Sequence, residues 1–249
     1  MPFMRWFRRR PLDNLDVDVS QITSGKWGER KDISRRYRDW TLERARRNLE
    51  LVRSGKAHES YGLAEPIHVW HINSFLHTLP SLASALSACQ VEPIESGLDV
   101  GCGTVTFFEF FEIAEAELID LSPEYVEFQG QKGWSASVAD VEDLSFADSS
   151  FDLVVASDIL EHVMSFDRAL SEISRVLKKK GYLAVNVPWE QDLGAMSTGI
   201  QLGSHIRRFD SHNLVRRFEG FELIHQEILP AAKGKPSRIQ TSNLIFTKI

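Results

Sequence analysis

The stretch Leu98-Asp99-Val100-Gly101-Cys102-Gly103-Thr104-Val105 constrains this chain more than any other, because an apolar run ends there in two glycines one residue apart. Such a run reads as a buried strand that delivers the chain into a turn where no Cβ stands between backbone and ligand. A second apolar run, Leu118-Ile119-Asp120, ends on a carboxylate. In a βαβ unit of the nucleotide-binding kind, N–H groups of the first turn face the charged part of the ligand, and an acid at the tip of the next strand accepts from ribose hydroxyls. The two runs together predict a site for a ribose-containing ligand. Dinucleotide binding would ask for G-x-G-x-x-G, and the third glycine position holds Thr106.

Further segments follow at regular intervals: Val138-Ala139-Asp140-Val141-Glu142-Asp143-Leu144-Ser145-Phe146, then Ser150 to Val163 with Ser157-Asp158-Ile159-Leu160-Glu161-His162 at its end, then Val176-Leu177-Lys178-Lys179-Lys180-Gly181-Tyr182-Leu183. In this order the segments resemble the class I S-adenosylmethionine-dependent methyltransferases, type 11-like, over roughly residues 94–249. The resemblance implies an α/β fold: a Rossmann-like, doubly wound, mostly parallel seven-stranded sheet with an antiparallel C-terminal strand, plus an N-terminal helical extension. The alternation of patterns predicts strands near 97–101, 116–120, 134–138, 152–157 and 181–187, and helices near 105–114, 123–131 and 166–178. Phe218 to Leu229 and Ile239 to Ile249 read as two more strands. The three lysines before Gly181 suit the negative end of a helix dipole, with Gly181 as a left-handed cap.

Two domains are expected: a basic arm and helical cap over 1–90, and a class I methyltransferase domain over 91–249. Within the first, Tyr37, Trp40 or Thr41, Ala45, Leu49 and Val52 recur at helical spacing, and Ser54-Gly55 closes that helix. Ile67, Trp70, Phe75, Leu79, Leu82 and Leu86 mark a second helical region over 66–88, with Pro80 a break or kink. Residues 1–60 carry 15 Lys and Arg against 9 Asp and Glu, a net +6, which leaves −12 on the remainder of a chain whose total is −6. An acidic body is not built to hold a nucleic-acid backbone. Residues 1–10 mix aromatic side chains with four arginines, a composition suited either to a solvated terminus or to weak peripheral contact with the inner face of a membrane. No apolar window reaches the length of a membrane span, and Cys89 and Cys102 form no metal or redox spacing, so a cytoplasmic setting is expected.

The resemblance also implies roles for individual residues. Gly101 and Gly103 admit the donor, S-adenosylmethionine, close to the backbone, with Cys102 between them. Asp99 helps to hold the methionyl ammonium, Asp120 takes the ribose hydroxyls with Leu121 beside it, and Asp140 takes the adenine amine while Val141 offers its backbone N–H. Ser157 completes the cofactor-binding set. Val105 stands where the family usually has a third glycine, a poor fit if that position needs a positive φ.

Asp158, Glu161 and His162 close the fourth core strand, where ligands of open α/β sheets collect. Their order resembles the E-x-x-E-H of ubiquinone-biosynthesis O-methyltransferases, in which such residues hold a divalent cation. The same Leu-Glu-His-Val run is widespread among metal-free relatives, and no metal site is assigned. His162, and His205 in the run Ser204-His205-Ile206-Arg207-Arg208-Phe209, are the candidate catalytic bases or substrate-orienting groups. Trp189 could stack on a flat acceptor or pack beneath that loop. His68, His71 and His77 lack acid or Cys partners and carry no metal assignment. The expected function is methyl transfer to a small-molecule or lipid-linked acceptor on oxygen, because Ala156-Ser157-Asp158 lacks the Asn-Pro-Pro-Tyr-type run of many nucleic-acid amine methyltransferases. The alternatives are a noncatalytic binding module or partner subunit that keeps the fold, and, more distantly, a nicotinamide-dependent oxidoreductase.

Overall fold

The computed structural model describes residues 67–189, 214–229 and 240–249, together with Asp39, Leu42, Ala45, Arg46, Leu49, Glu50, Arg53 and Phe209; in the first stretch, side chains are described from Thr78 onward. Helix α1 (Ile67–Cys89) leads into β1 (Ser96–Val100). There follow β2 (Glu115–Asp120), α2 (Pro123–Gln131), β3 (Ser135–Val138), β4 (Phe151–Ser157), α3 (Phe166–Val176), β5 (Leu177–Trp189), β6 (Phe221–Leu229) and β7 (Gln240–Lys248). The strands form one seven-stranded sheet in the order β3-β2-β1-β4-β5-β7-β6, parallel except for β7, which runs antiparallel between β5 and β6. This is the mostly parallel sheet with an antiparallel C-terminal strand that the sequence predicts.

Period-two alternation sorts the strand residues onto two faces. Leu98, Val100, Val154, Ala156, Leu183 and Val185 point to one side, where the apolar stripe Ala169, Leu170, Ile173 and Val176 of α3 covers them. Leu118, Leu153, Val155, Tyr182, Ala184 and Ile245 point to the other, beneath Leu79, Leu82, Ala83 and Leu86 of α1. The second half of α1 is therefore part of the core. Pro80 lies inside α1 without breaking it. The described positions between 39 and 53 are helical, with Ala45 and Leu49 buried, in keeping with the spacing of that segment.

Two expectations need correction. The helix near 105–114 is reduced to a single 3-10 turn, Phe107–Glu109. The aromatics at 107, 108, 110 and 111 do not form the face of an α-helix here. Instead Phe107 and Phe108 are both buried, and Phe107 stacks on Phe111 with centroids 5.5 Å apart. The helix near 166–178 stops at Val176, so the three lysines belong to β5 rather than to a helix end. Lys178 donates to Asp152 at 2.8 Å, and the left-handed residue is Lys180, at φ 63°, rather than Gly181. A Cβ on Gly181 would stand 2.9 Å from the carbonyl oxygens of both Asp152 and Lys178, so close backbone approach explains the glycine. The carbonyls at the end of α3 are met by Lys248, whose Nζ donates to Ser174 and Leu177 oxygens at 2.7 and 2.8 Å.

Candidate active site

The alternation that builds the core also places Asp99 and Asp120 on the α1 face, at and near the carboxyl ends of β1 and β2. Asp99 is 3 % exposed, and its Oδ2 accepts from the Thr106 hydroxyl at 2.6 Å and from the Phe107 N–H at 3.0 Å. Thr106 in turn caps the short 3-10 turn, with Glu109 returning to the Thr106 N–H. Asp120 Oδ2 accepts from the Gly103 N–H at 3.1 Å and its Oδ1 from the Ser122 N–H at 2.8 Å. Burial pushes both carboxyls up to about 6, against hydrogen bonds that favour the charged form.

The glycine loop differs from the expectation in one respect. Its N–H groups turn toward β2: Gly101 and Cys102 both donate to the Ile119 carbonyl, at 2.8 and 3.0 Å, and Gly103 donates to Asp120. The loop thus presents acids rather than free donors. Both glycines are left-handed, at φ 77° and 52°. A Cβ on Gly101 would press on Ile159 at 3.0 Å, whereas one on Gly103 would meet nothing nearer than 4.0 Å. Gly103 is therefore the open point of the cradle, and the backbone there can be approached closely. Val105 is not among the described residues of positive φ, so its β-branch is accommodated without strain, and it packs against the α1-side core. Burial raises the Cys102 thiol well above its usual value, which makes it a packing residue of the loop.

Leu121 follows Asp120 into the turn that Ser122 caps for α2. The Asp120 carbonyl accepts from the Ala139 N–H at 3.1 Å, which brings Asp140 and Val141 to the same edge. Asp140 accepts from the Glu142 N–H at 3.0 Å, and Val141 is buried. At the end of β4, Ser157 gives way to Asp158 at φ 48°, a left-handed conformation that Asp tolerates better than most residues. The Asp158 N–H donates to the Asn186 carbonyl at 2.8 Å. A tight turn closed by His162 N–H on the Ile159 carbonyl then buries Glu161 and sets His162 Nε2 3.9 Å from the Glu161 carboxylate. Among the described residues no group of three or more His, Cys, Asp or Glu side chains is placed to hold a metal ion. His205, Arg207, Arg208 and residues 1–10 lie outside the described residues, as do the side chains of His68, His71, His77 and Trp189.

Five residues of the site have no role assigned from sequence. Thr106 and Glu109 carry a readable capping-box spacing. Gln129 is fully buried and donates to the Gly103 carbonyl at 3.0 Å, with no local pattern to announce it. Asn186 lies beside the Asp158 turn and Asn243 opposite it in register.

Residues 98–185 match the family model of a methyltransferase domain. The malonyl-acyl-carrier-protein O-methyltransferase of Methylococcus capsulatus is 29% identical over 155 residues, 56% of this chain and 56% of that protein. An uncharacterized protein of Methanocaldococcus jannaschii is 30% identical over 95 residues, 38% of this chain and 45% of its own. The chain thus spans about half the length of these curated relatives. Among solved structures, an S-adenosylmethionine-dependent methyltransferase of Thermotoga maritima superposes with a TM-score of 0.58 at 23% identity, over 74% of this chain and 97% of that one. The cyclase SpnF superposes with 0.57 at 20% identity, over 69% and 80%. With the sheet order, the glycine cradle and the acid at the tip of β2 in place, residues 98–185 form a segment that matches a methyltransferase domain, carried on a fold shared with S-adenosylmethionine-dependent methyltransferases.

Proposed function

We propose that the chain transfers a methyl group from S-adenosylmethionine to an oxygen of a small-molecule or lipid-linked acceptor. The observation that carries this reading is the electrostatic character of the cradle. Its N–H groups are held by β2, Asp99 and Asp120 lie beneath it, and Lys132 is paired with Glu109. Such a floor suits a ligand that bears cationic groups and disfavours the pyrophosphate of a dinucleotide.

Gly101, Cys102 and Gly103 would admit the donor to the backbone, and Asp99 would act through the Thr106 turn on its ammonium end. Asp120, with Leu121, would take the ribose hydroxyls. Asp140 and Val141 would take the adenine, and Ser157 would close the set at β4. When bound, S-adenosylmethionine supplies an electrophilic methyl group on a sulfonium centre. The protein's share is alignment and the exclusion of water. A hydroxyl acceptor must also lose a proton, and His162 beside buried Glu161, with His205 of the sequence that follows β5, are the imidazoles assigned to take it.

The Ser157-Asp158 turn and the O-methyltransferase activity named for the Methylococcus relative support oxygen as the atom methylated. Residues 1–90 would serve as a basic arm and helical cap over the 91–249 domain, and the arginines and aromatics of 1–10 fit weak contact with an anionic membrane surface. Among the described residues no helix is long and apolar enough to cross a membrane.

A second reading, a noncatalytic module on this fold, is favoured by the Asp99 carboxylate already accepting from Thr106 and Phe107. That SpnF is a cyclase shows how freely this fold changes its task. Calorimetric titration with S-adenosylmethionine and S-adenosylhomocysteine separates the two. Micromolar binding by the parent chain, abolished by Asp120→Ala and unimproved by Val105→Gly, is the expected result. No binding by the parent chain would establish the noncatalytic reading.

A further inference from the structure

Four polar residues stand in one line across the sheet: Ser157 of β4, Asn186 of β5, Asn243 of β7 and Glu227 of β6 are successive register partners. The alternation puts this line on the α1 face, the face of Asp99 and Asp120. Asn186 and Asn243 are both fully buried, and Asn186 Nδ2 donates to Asn243 Oδ1 at 2.5 Å. Among the described residues, Asn186 Oδ1, Asn243 Nδ2 and Ser157 Oγ are buried without a hydrogen-bond partner. At the far end Glu227 Oε2 accepts from the Ser81 hydroxyl of α1 at 3.0 Å.

A half-satisfied amide pair is a poor way to stabilise a sheet. The backbone ladder already joins β5 to β7, and apolar residues of similar shape would leave nothing unmet. The line is also in the right place for a substrate. It crosses the carboxyl ends of β4 and β5, and the Asn186 carbonyl holds the Asp158 N–H at the head of the turn that carries His162. Buried donors and acceptors with no protein partner discriminate strongly among ligands, because a ligand that cannot meet them leaves them unmet.

We propose that Asn186 and Asn243, with Ser157 at the border where the donor site meets it, form the part of the acceptor site that recognises a neutral group able both to donate and to accept, a carboxamide or a hydroxyl. The row has no basic side chain to match a carboxylate or phosphate, and Glu227 at its end opposes an anion. The assignment of an acceptor rests on the methyl-transfer reading; the recognition of the neutral group does not.

The full chain, with its side-chain amides labelled with nitrogen-15, is titrated with acetamide, ethanol, acetate and methylammonium, with and without S-adenosylhomocysteine. Saturable movement of the Asn186 and Asn243 amide resonances is expected with acetamide or ethanol only. Ser157→Ala should weaken that response about tenfold, the factor that one hydrogen bond of about 1.4 kcal/mol carries. The double variant Asn186→Leu/Asn243→Leu should show no binding of acetamide or ethanol by calorimetry, yet unfold at the same or a higher temperature and bind S-adenosylhomocysteine as the parent chain does. Resonances that stay still with every neutral probe, or that move with acetate or methylammonium, overturn the proposal. So does a double variant that unfolds earlier while Ser157→Ala leaves the response to acetamide unchanged. Failure of the parent chain to bind S-adenosylhomocysteine would sink the donor reading instead, and the titrations run without it still decide the row.

Discussion

Asp99 and Asp120 are two acids held on one side of a sheet by backbone and hydroxyl donors, and burial leaves each with a carboxyl that titrates near 6 rather than at its ordinary 3.8. A carboxyl whose folded value is raised binds its proton more tightly in the folded chain. Its contribution to stability is therefore fully present below 3.8 and is lost as the pH rises through about 6. Donor affinity should run the other way. Protonated Asp120 is the poorer acceptor for ribose hydroxyls, so S-adenosylhomocysteine should bind at least several-fold more weakly at about pH 5 than at about pH 7.5. Calorimetry across that range checks it, and a flat profile would remove Asp120 from the ribose. Asp152 has the opposite sign: despite burial, Lys178 and Ser96 hold it below its usual value, so its stabilising share is present above 3.8 and fails as the pH falls through the lowered value. At this scale the sequence shows the two acids and the glycines, because strand periodicity and spacing mark them. Gln129 was illegible because its role depends on where α2 happens to cross the Gly103 carbonyl.

The two glycines at opposite ends of the packing range give an element-level test. Gly130, inside α2, has no heavy atom within 4 Å of where a Cβ would stand, whereas at Gly181 two carbonyl oxygens lie within 2.9 Å. Gly130→Ala should stabilise the chain by about 0.5–1 kcal/mol through helix propensity, and Gly181→Ala should destabilise it by about 1–3 kcal/mol through forced backbone movement. Urea unfolding of the two variants measures both. The same pair of positions explains what could be read beforehand. Helix α2 was legible to its ends because Ser122, Pro123 and an unmixed polar and apolar pattern mark it locally. The end of α3 was not, since a lysine run reads well as a helix terminus. What overrides it is tertiary: Asp152 captures Lys178, and Lys248, some seventy residues away, takes over the carbonyls of the last turn. Likewise the turn after β1 is held by Thr106, which caps it and donates to Asp99 of β1, a contact that helix propensity does not report.

The whole molecule reports the donor through its stability. Ligand that binds only the folded chain, at a hundred times its dissociation constant, raises the unfolding free energy by about 2.7 kcal/mol. S-adenosylhomocysteine should therefore lift the thermal midpoint by several degrees, and NAD should leave it in place. A rise with NAD alone would return the chain to the dinucleotide binders. The sheet order has a consequence for how the chain is made. Strand β7 follows β6 in sequence but lies between β6 and β5 in space. The sheet is not zipped in the order of synthesis: until β7 leaves the ribosome, the Leu183–Val187 run of β5 presents an open edge of unpaired amides and carbonyls beside its apolar side chains. For the time it takes to translate the stretch from 230 to 248, the nascent chain carries its stickiest edge uncovered, and that is the interval in which a chaperone, a slow codon or a neighbouring ribosome decides whether the centre of the sheet closes on its own strand or on another chain's.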